Sequence, residues 1–188
     1  VRHPSMAQME RLGLLDLQGP VWGDDELLFG LERIASDAGD EQHASVWDPL
    51  LISGLVQQDV PATWPKLVNP LGPVCTVVSA VLLGGHWIPL VWRVDAVGAV
   101  LHTISVTAEY EHVLEKLSRV FEICRGGAHG VWKPHCLGFV PDGFCGALAL
   151  AFVKHLVWGW PMVADQHDLE LTSQSMRLEF ANFLPDPC

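Results

Sequence analysis

The chain has 188 residues, 49% of them apolar and 18% charged, enough hydrocarbon for one domain with a buried core, and wholesale disorder is excluded. With 22 acidic against 11 basic residues the formal charge is −11. Phosphate backbones are repelled by such a surface, so a nucleic-acid role is disfavoured and a basic or neutral polypeptide partner fits better.

Residues 1–20 are mixed in character, contain Pro4 and Pro20, and read as an N-terminal arm to a domain over 21–188. Asp24 is a good N-cap, and Leu27, Leu28, Leu31 and Ile34 then recur at helical spacing until Ser36–Asp40 ends the run. A short apolar segment follows at Leu50–Val56, and Gln57–Pro73, with four prolines, reads as a surface loop. Val74–Leu83, His86–Val94 and Val100–Val106 read as three strands of a meander. Gly84-Gly85 turns the chain between the first two, and Asp95–Gly98 between the second and third. Pro89, lacking an N–H, is expected at a bulge or an unpaired side.

Helices dominate afterwards. Val113, Leu114, Leu117, Val120 and Phe121 give an amphipathic helix over about 108–123, ended by Gly126-Gly127. Residues 128–144 read as loop or short strand. Cys145–Val153 is apolar on every face and marks a central buried helix, with Gly159 placed for its C-cap and Pro161 preventing continuation. A last helix near 172–184 presents Met176, Phe180, Phe183 and Leu184 on one side. The apolar runs are all interrupted short of the roughly 18 residues a membrane helix needs, and no signal-peptide pattern opens the chain. Five cysteines without a CxxC pair point to a reducing, intracellular compartment, cytoplasmic or nuclear, rather than to a disulfide framework.

Cys145 is the first candidate for chemistry. It follows the turn sequence Pro141-Asp142-Gly143-Phe144 and opens the apolar helix, where a thiol sees the positive end of the helix dipole. Gly146 and Ala147 leave room for a substrate chain beside it, and Phe144 is a binding candidate. The alternative is a buried structural cysteine. His86, the first residue of a strand after a Gly-Gly turn, is placed to act as a base at the edge of a cleft. With nine histidines in the chain, a plain surface histidine is the reading it competes with.

The order of these residues resembles that of the Ulp1/SENP-type cysteine peptidases, which act on ubiquitin-like modifiers. Trp22-Gly23-Asp24-Asp25-Glu26-Leu27-Leu28 is similar to that family's lead-in to its first helix. Val74–Leu83 followed by His86-Trp87 resembles its meander with a catalytic His-Trp. Gly143-Phe144-Cys145-Gly146 resembles its nucleophile motif, and Ser175-Met176-Arg177 through Leu184 its closing helix. The resemblance spans about 20–184, with His86 and Cys145 separated by 59 residues. It implies an α+β, papain-like fold in the Ulp1 manner, an antiparallel meander sheet packed on a central helix. It also implies thiol-peptidase activity on the C-terminal tail of ubiquitin or a ubiquitin-like protein, or on a polyprotein junction, without a cofactor. Trp87 and Trp22 would wall the channel for that tail, and a monomer free of membrane and nucleic acid is expected. The alternative is a catalytically impaired pseudoprotease serving as a ubiquitin-like-protein or peptide binding module.

Two positions depart from the pattern. Where family members place an Asp at the end of the partner strand, this chain has His102, Thr103, Ile104 and Ser105. Asp95 is roughly 30 Å down the strand from His86. Hairpin return brings Thr103–Thr107 back beside His86, so Thr103 is the expected orienting residue, with Ser105 and Glu109 as alternatives. Phe139 stands where the family carries an oxyanion-stabilising Gln, leaving that task to backbone amides including that of Cys145. Cys124, His129, His135 and Cys136 form a second constellation, but their spacing does not match the usual zinc pairs, and no metal site is expected. His155, roughly 15 Å along the helix from Cys145, is out of reach as a base.

Overall fold

The β-branched run at the centre of the chain forms a strand because such side chains pack well on a pleated surface. In the computed structural model, which describes residues 23–38, 44–57, 76–95, 98–124, 130–137 and 143–183, it belongs to a five-stranded sheet. The elements are α1 (Asp24–Asp37), β1 (Ala44–Val46), α2 (Pro49–Gln57), β2 (Thr76–Leu83), β3 (His86–Asp95), β4 (Gly98–Ile104), α3 (Ala108–Cys124), β5 (Gly130–His135), α4 (Cys145–Trp158) and α5 (Gln166–Phe183). The sheet order is β1-β2-β3-β4-β5.

The expected meander is present as β2-β3-β4, antiparallel throughout. The sheet as a whole is mixed rather than purely antiparallel, because β1 and β5 add to its edges in parallel. Neither edge strand has a periodic signal of its own: β1 is three residues long, and β5 carries Pro134, tolerated at an edge. Gly84 and Gly85 make the β2–β3 turn at φ 55° and 81°, the left-handed pair a two-residue hairpin requires. A Cβ on Gly84 would collide with the Tyr110 hydroxyl. Pro89 stays in unbroken register with Ala80 of β2, while the β3–β4 ladder stops at Val91↔His102. The missing amide thus faces the side where pairing has ended.

Side-chain acceptors mark the starts of α1, α2 and α5. Gly23, rather than Asp24, is the N-cap of α1, and Glu26 Oε2 accepts its N–H at 2.9 Å. Asp48 accepts the Leu50 N–H at 2.8 Å and, followed by Pro49 at the first helical position, starts α2. Asp165 accepts the Asp168 N–H at 3.0 Å, so α5 begins at Gln166, six residues before the expected 172. Gly159, at φ 72°, closes α4 by donating its N–H to the His155 carbonyl at 3.1 Å, the αL cap its position suggests.

The sheet separates two cores. On one face lie α1, α4 and α5, with Leu27, Leu31, Val78, Ala80, Trp87, Val91 and the run Ala147–Val153. On the other lie α2 and α3, with Ile52, Val77, Val81, Leu90, Trp92, Leu101 and Leu114. Gly146–Val153 is buried without interruption, as its all-round apolar sequence requires. Gly30 lets α1 approach α4, since a Cβ there would lie 2.6 Å from Leu150 Cδ1. Arg177 of α5 and Glu26 of α1 form an ion pair at 3.5 Å, their side chains 7% and 15% exposed. No described helix is long and apolar enough to cross a membrane. The arm at 1–20, Trp22 and the loop at 58–73 lie outside the described residues.

Candidate active site

Cys145 is the first residue of α4, as its sequence predicts, and is half-buried. Gly143 at φ 76° reverses the chain just before it. Buried Phe144 anchors the turn to the α4-side core, and its carbonyl accepts the Leu148 N–H at 2.9 Å. Phe144 gives no side-chain cap, and the first turn holds no acidic residue. The first-turn amides are therefore free of intrahelical and side-chain acceptors, and the positive end of the dipole is left uncompensated at the thiol. Gly146 is buried directly behind Cys145.

Packing fixes which parts of the sheet share that end. Arg93, near the far end of β3, donates from its guanidinium to the Leu156 carbonyl near the far end of α4, and β3 packs along α4. Burial lowers the pKa of that guanidinium. β3 and α4 therefore run in the same direction, and His86 and Cys145 mark the same end. α1 runs the same way, with Gly30 against Leu150 and the Ile34 carbonyl accepting from Trp158 Nε1 at 3.1 Å. Its first turn, which follows Trp22, is also at the Cys145 end.

Alternation along β3 separates His86 from Trp87. Trp87 pairs with Leu82 and packs on the α4 side, 6% exposed. His86 pairs with Leu83, whose side chain belongs to the α2–α3 core, and is exposed on the last rung. No hydrogen bond joins His86 to Cys145 among the described residues. The two groups share an end of the molecule from opposite sides of the sheet plane.

Thr103 does not reach His86. The ladder that ends at Val91↔His102 would set Thr103 across from Leu90 if continued one rung, about 13 Å along the strand from His86. Its side chain is fully buried, and its Oγ1 has no hydrogen-bond partner. The hairpin return stops short because the strands part before Pro89. Of the alternatives, Ser105 Oγ lies 3.3 Å from Cys136 Sγ. Glu109 Oε1 accepts from Thr107 Oγ1 at 3.4 Å and also hydrogen-bonds Tyr110, which raises the pKa of that phenol. Tyr110, whose hydroxyl lies against Gly84 just before His86, was not singled out by the sequence. Its being the one tyrosine of the chain was the only signal.

Of the second constellation, His135 and Cys136 are described with their side chains, and each meets a different neighbour. His135 Nε2 lies 3.0 Å from His102 Nδ1, Cys136 meets Ser105, and no group of three or more metal-ligating side chains occurs among the described residues. The Cys124 side chain, His129 and Phe139 lie outside them. His155 is engaged at the far end of α4, its Nδ1 2.6 Å from the Trp160 carbonyl oxygen.

No family model and no curated protein matches the sequence. Solved structures do match the fold. The SUMO protease Ulp1 with its catalytic cysteine oxidized to a sulfenic acid superposes with a TM-score of 0.71 over 97% of both chains at 10% identity. The C-terminal Ulp1 protease domain in complex with Smt3, the yeast ortholog of SUMO, gives 0.68 over 97% of both chains, also at 10%. The catalytic domain of the Chaetomium thermophilum Ulp1-like SUMO protease gives 0.66 at 14% identity, over 88% of this chain and 75% of its own. The architecture is thus the α+β, papain-like fold of the Ulp1 type.

Proposed function

We propose that this chain, built on the Ulp1-type fold, is a thiol peptidase whose nucleophile is Cys145 and whose base is His86, acting on the C-terminal tail of a ubiquitin-like protein. The observation that carries the reading is the placement of a half-buried cysteine at the uncapped N-terminus of the central helix, in a fold that aligns with SUMO proteases over 97% of the chain. His86 takes the thiol proton, and the thiolate attacks the scissile carbonyl. The oxyanion is held by first-turn amides, that of Cys145 included, and the protonated imidazole passes its proton to the leaving amine. Water then hydrolyses the thioester. Trp87, buried in the α4-side core, supplies rigid packing at this end of the sheet rather than an exposed wall.

For that proton transfer the exposed imidazole has to come round the hairpin end of β3, where His86 is the last rung. No carboxylate pairs with His86 among the described residues, so the imidazolium would form without an anionic partner, a feature of a slow enzyme. The same face assignment favours a second reading, a binding module that keeps the fold without turnover. Ubiquitin and SUMO carrying an electrophilic C-terminal warhead separate the two. A covalent adduct that is lost in Cys145→Ala and slowed in His86→Ala supports the peptidase. Reversible binding of the modifier without an adduct assigns the module.

A further inference from the structure

The α4 face of β4 and β5 carries two histidines that the proposed chemistry does not use. His102 pairs with Val91 of the α4-side core, and the parallel β4–β5 register sets Lys133 beside His102 and His135 beside Ile104. Both imidazoles therefore stand on the same face, one alternation apart. Their nitrogens, Nδ1 of His102 and Nε2 of His135, are 3.0 Å apart, and the ring centroids 5.3 Å apart. So wide a centroid separation at that N···N distance leaves both nitrogens on the line between the ring centres. The rings meet head-on. That arrangement fits one proton held between two lone-pair directions. It is wrong for chelation, in which the lone pairs converge on a third point. His135 also stands edge-on to Phe152 of α4, at 5.3 Å and 79°.

We propose that the His102–His135 pair is a pH-sensitive latch that holds the edge strand β5 to β4 while at least one of the facing nitrogens is unprotonated, and lets go when both rings are cationic. In the neutral pair one ring donates N–H to the other. A first added proton leaves three N–H groups on four nitrogens, so a head-on N–H···N contact survives. A second puts N–H against N–H, with two positive charges at hydrogen-bond distance. Described groups near the pair include Val91 and Arg93 from β3, Lys133 from β5, and Phe152 and His155 from α4. Arg93 and Lys133 add positive charge on the same face as the pair. Burial, then Lys133, then His155 lower the His135 pKa from 6.5.

The sign follows from linkage. A histidine whose folded pKa is depressed binds fewer protons folded than unfolded below 6.5, so its contribution is complete above that value and declines as pH falls through the depressed one. In sequence, Cys136 and Leu137 follow β5, and Phe144, with Cys145 next to it, comes seven residues after Leu137. The latch itself does not depend on what Cys145 does.

The test uses the full chain and the double variant His102→Asn/His135→Gln, whose amides reach the Nδ1 and Nε2 positions and hydrogen-bond without titrating there. Thermal unfolding is followed at about pH 7.5 and about pH 5, either side of the ordinary histidine range. The wild type is expected to lose about 3–5 °C more than the variant on acidification. Equal losses overturn the latch. If the variant does not fold, nitrogen-15 histidine spectra of the wild type decide. Two coupled titrations, the later one well below the ordinary histidine value, support it, and two independent ordinary titrations overturn it.

Discussion

On the α2–α3 face of the sheet, Val77, Val81, Leu90, Trp92 and Leu101 close over one another as a nearly dry core. On the α4 face, from the same strands, apolar packing by Val78, Ala80 and Val91 alternates with Arg93, His102, Lys133 and His135. Cys145, the proposed nucleophile, belongs to the second face, and His86, the proposed base, belongs by alternation to the first. Chemistry between them is confined to the one place where the sheet ends and the distinction between its faces lapses, the last rung of β3. The comparison teaches that a single residue of strand phase decides whether this molecule has a catalytic pair or only a fold.

The variants Cys145→Ala and His86→Ala break the comparison most severely. Loss of the sulfur should reduce adduct formation and hydrolysis by about 10⁴-fold or more, and loss of the imidazole by roughly 10³-fold, read by intact mass and by release of a tail-linked fluorophore. Modifier binding should survive both changes, because His86 is exposed and Cys145 only borders the α4-side core. If His86→Ala leaves the acylation rate unchanged, the assignment of His86 to the α2–α3 side is decisive and the base is another group.

Next in size is Phe152→Ala. Phe152 is 1% exposed in the α4-side core and carries the edge contact of His135. Truncation should cost about 3–5 kcal/mol in urea unfolding, and should also shift the acid dependence of stability by freeing the His135 ring. A loss below about 1 kcal/mol would show that this face is loosely packed around α4.

What was legible in the sequence was local. The Gly84-Gly85 turn, the register it imposes on β2 and β3, and the position of Cys145 at the head of an all-apolar helix each depend on residues within a few places of one another. The starts of α2 and α5 were also written locally, in Asp48-Pro49 and in Asp165 with Asp168, although apolar periodicity alone placed α5 too late. Long-range pairing was not legible. Nothing near His102 announces His135, 33 residues away, since parallel β4–β5 pairing brings them together only after α3 has crossed. The failure of Thr103 has the same origin: counting residues around a hairpin assumes that the ladder continues, and Pro89 ends it.

Thr103→Val gives the smallest expected effect and separates the two uses of the sheet most cleanly. Of two strand hydroxyls buried on the α2–α3 face, Ser79 Oγ donates to the Trp47 carbonyl at 2.9 Å, whereas Thr103 Oγ1 has no partner. An unpaired buried hydroxyl costs its hydration without a return hydrogen bond. Valine has nearly the same shape and nothing to desolvate, so the variant should be more stable by about 1 kcal/mol in urea unfolding. Catalytic rate should be unchanged, because Thr103 lies four strand positions from His86. An orienting role would give the opposite signature, namely a fall in acylation rate and an altered pH profile at unchanged or lower stability. A stability gain with full activity thus assigns Thr103 to the dry face, and a rate loss would mean that β4 continues past Val91 to reach the imidazole during turnover.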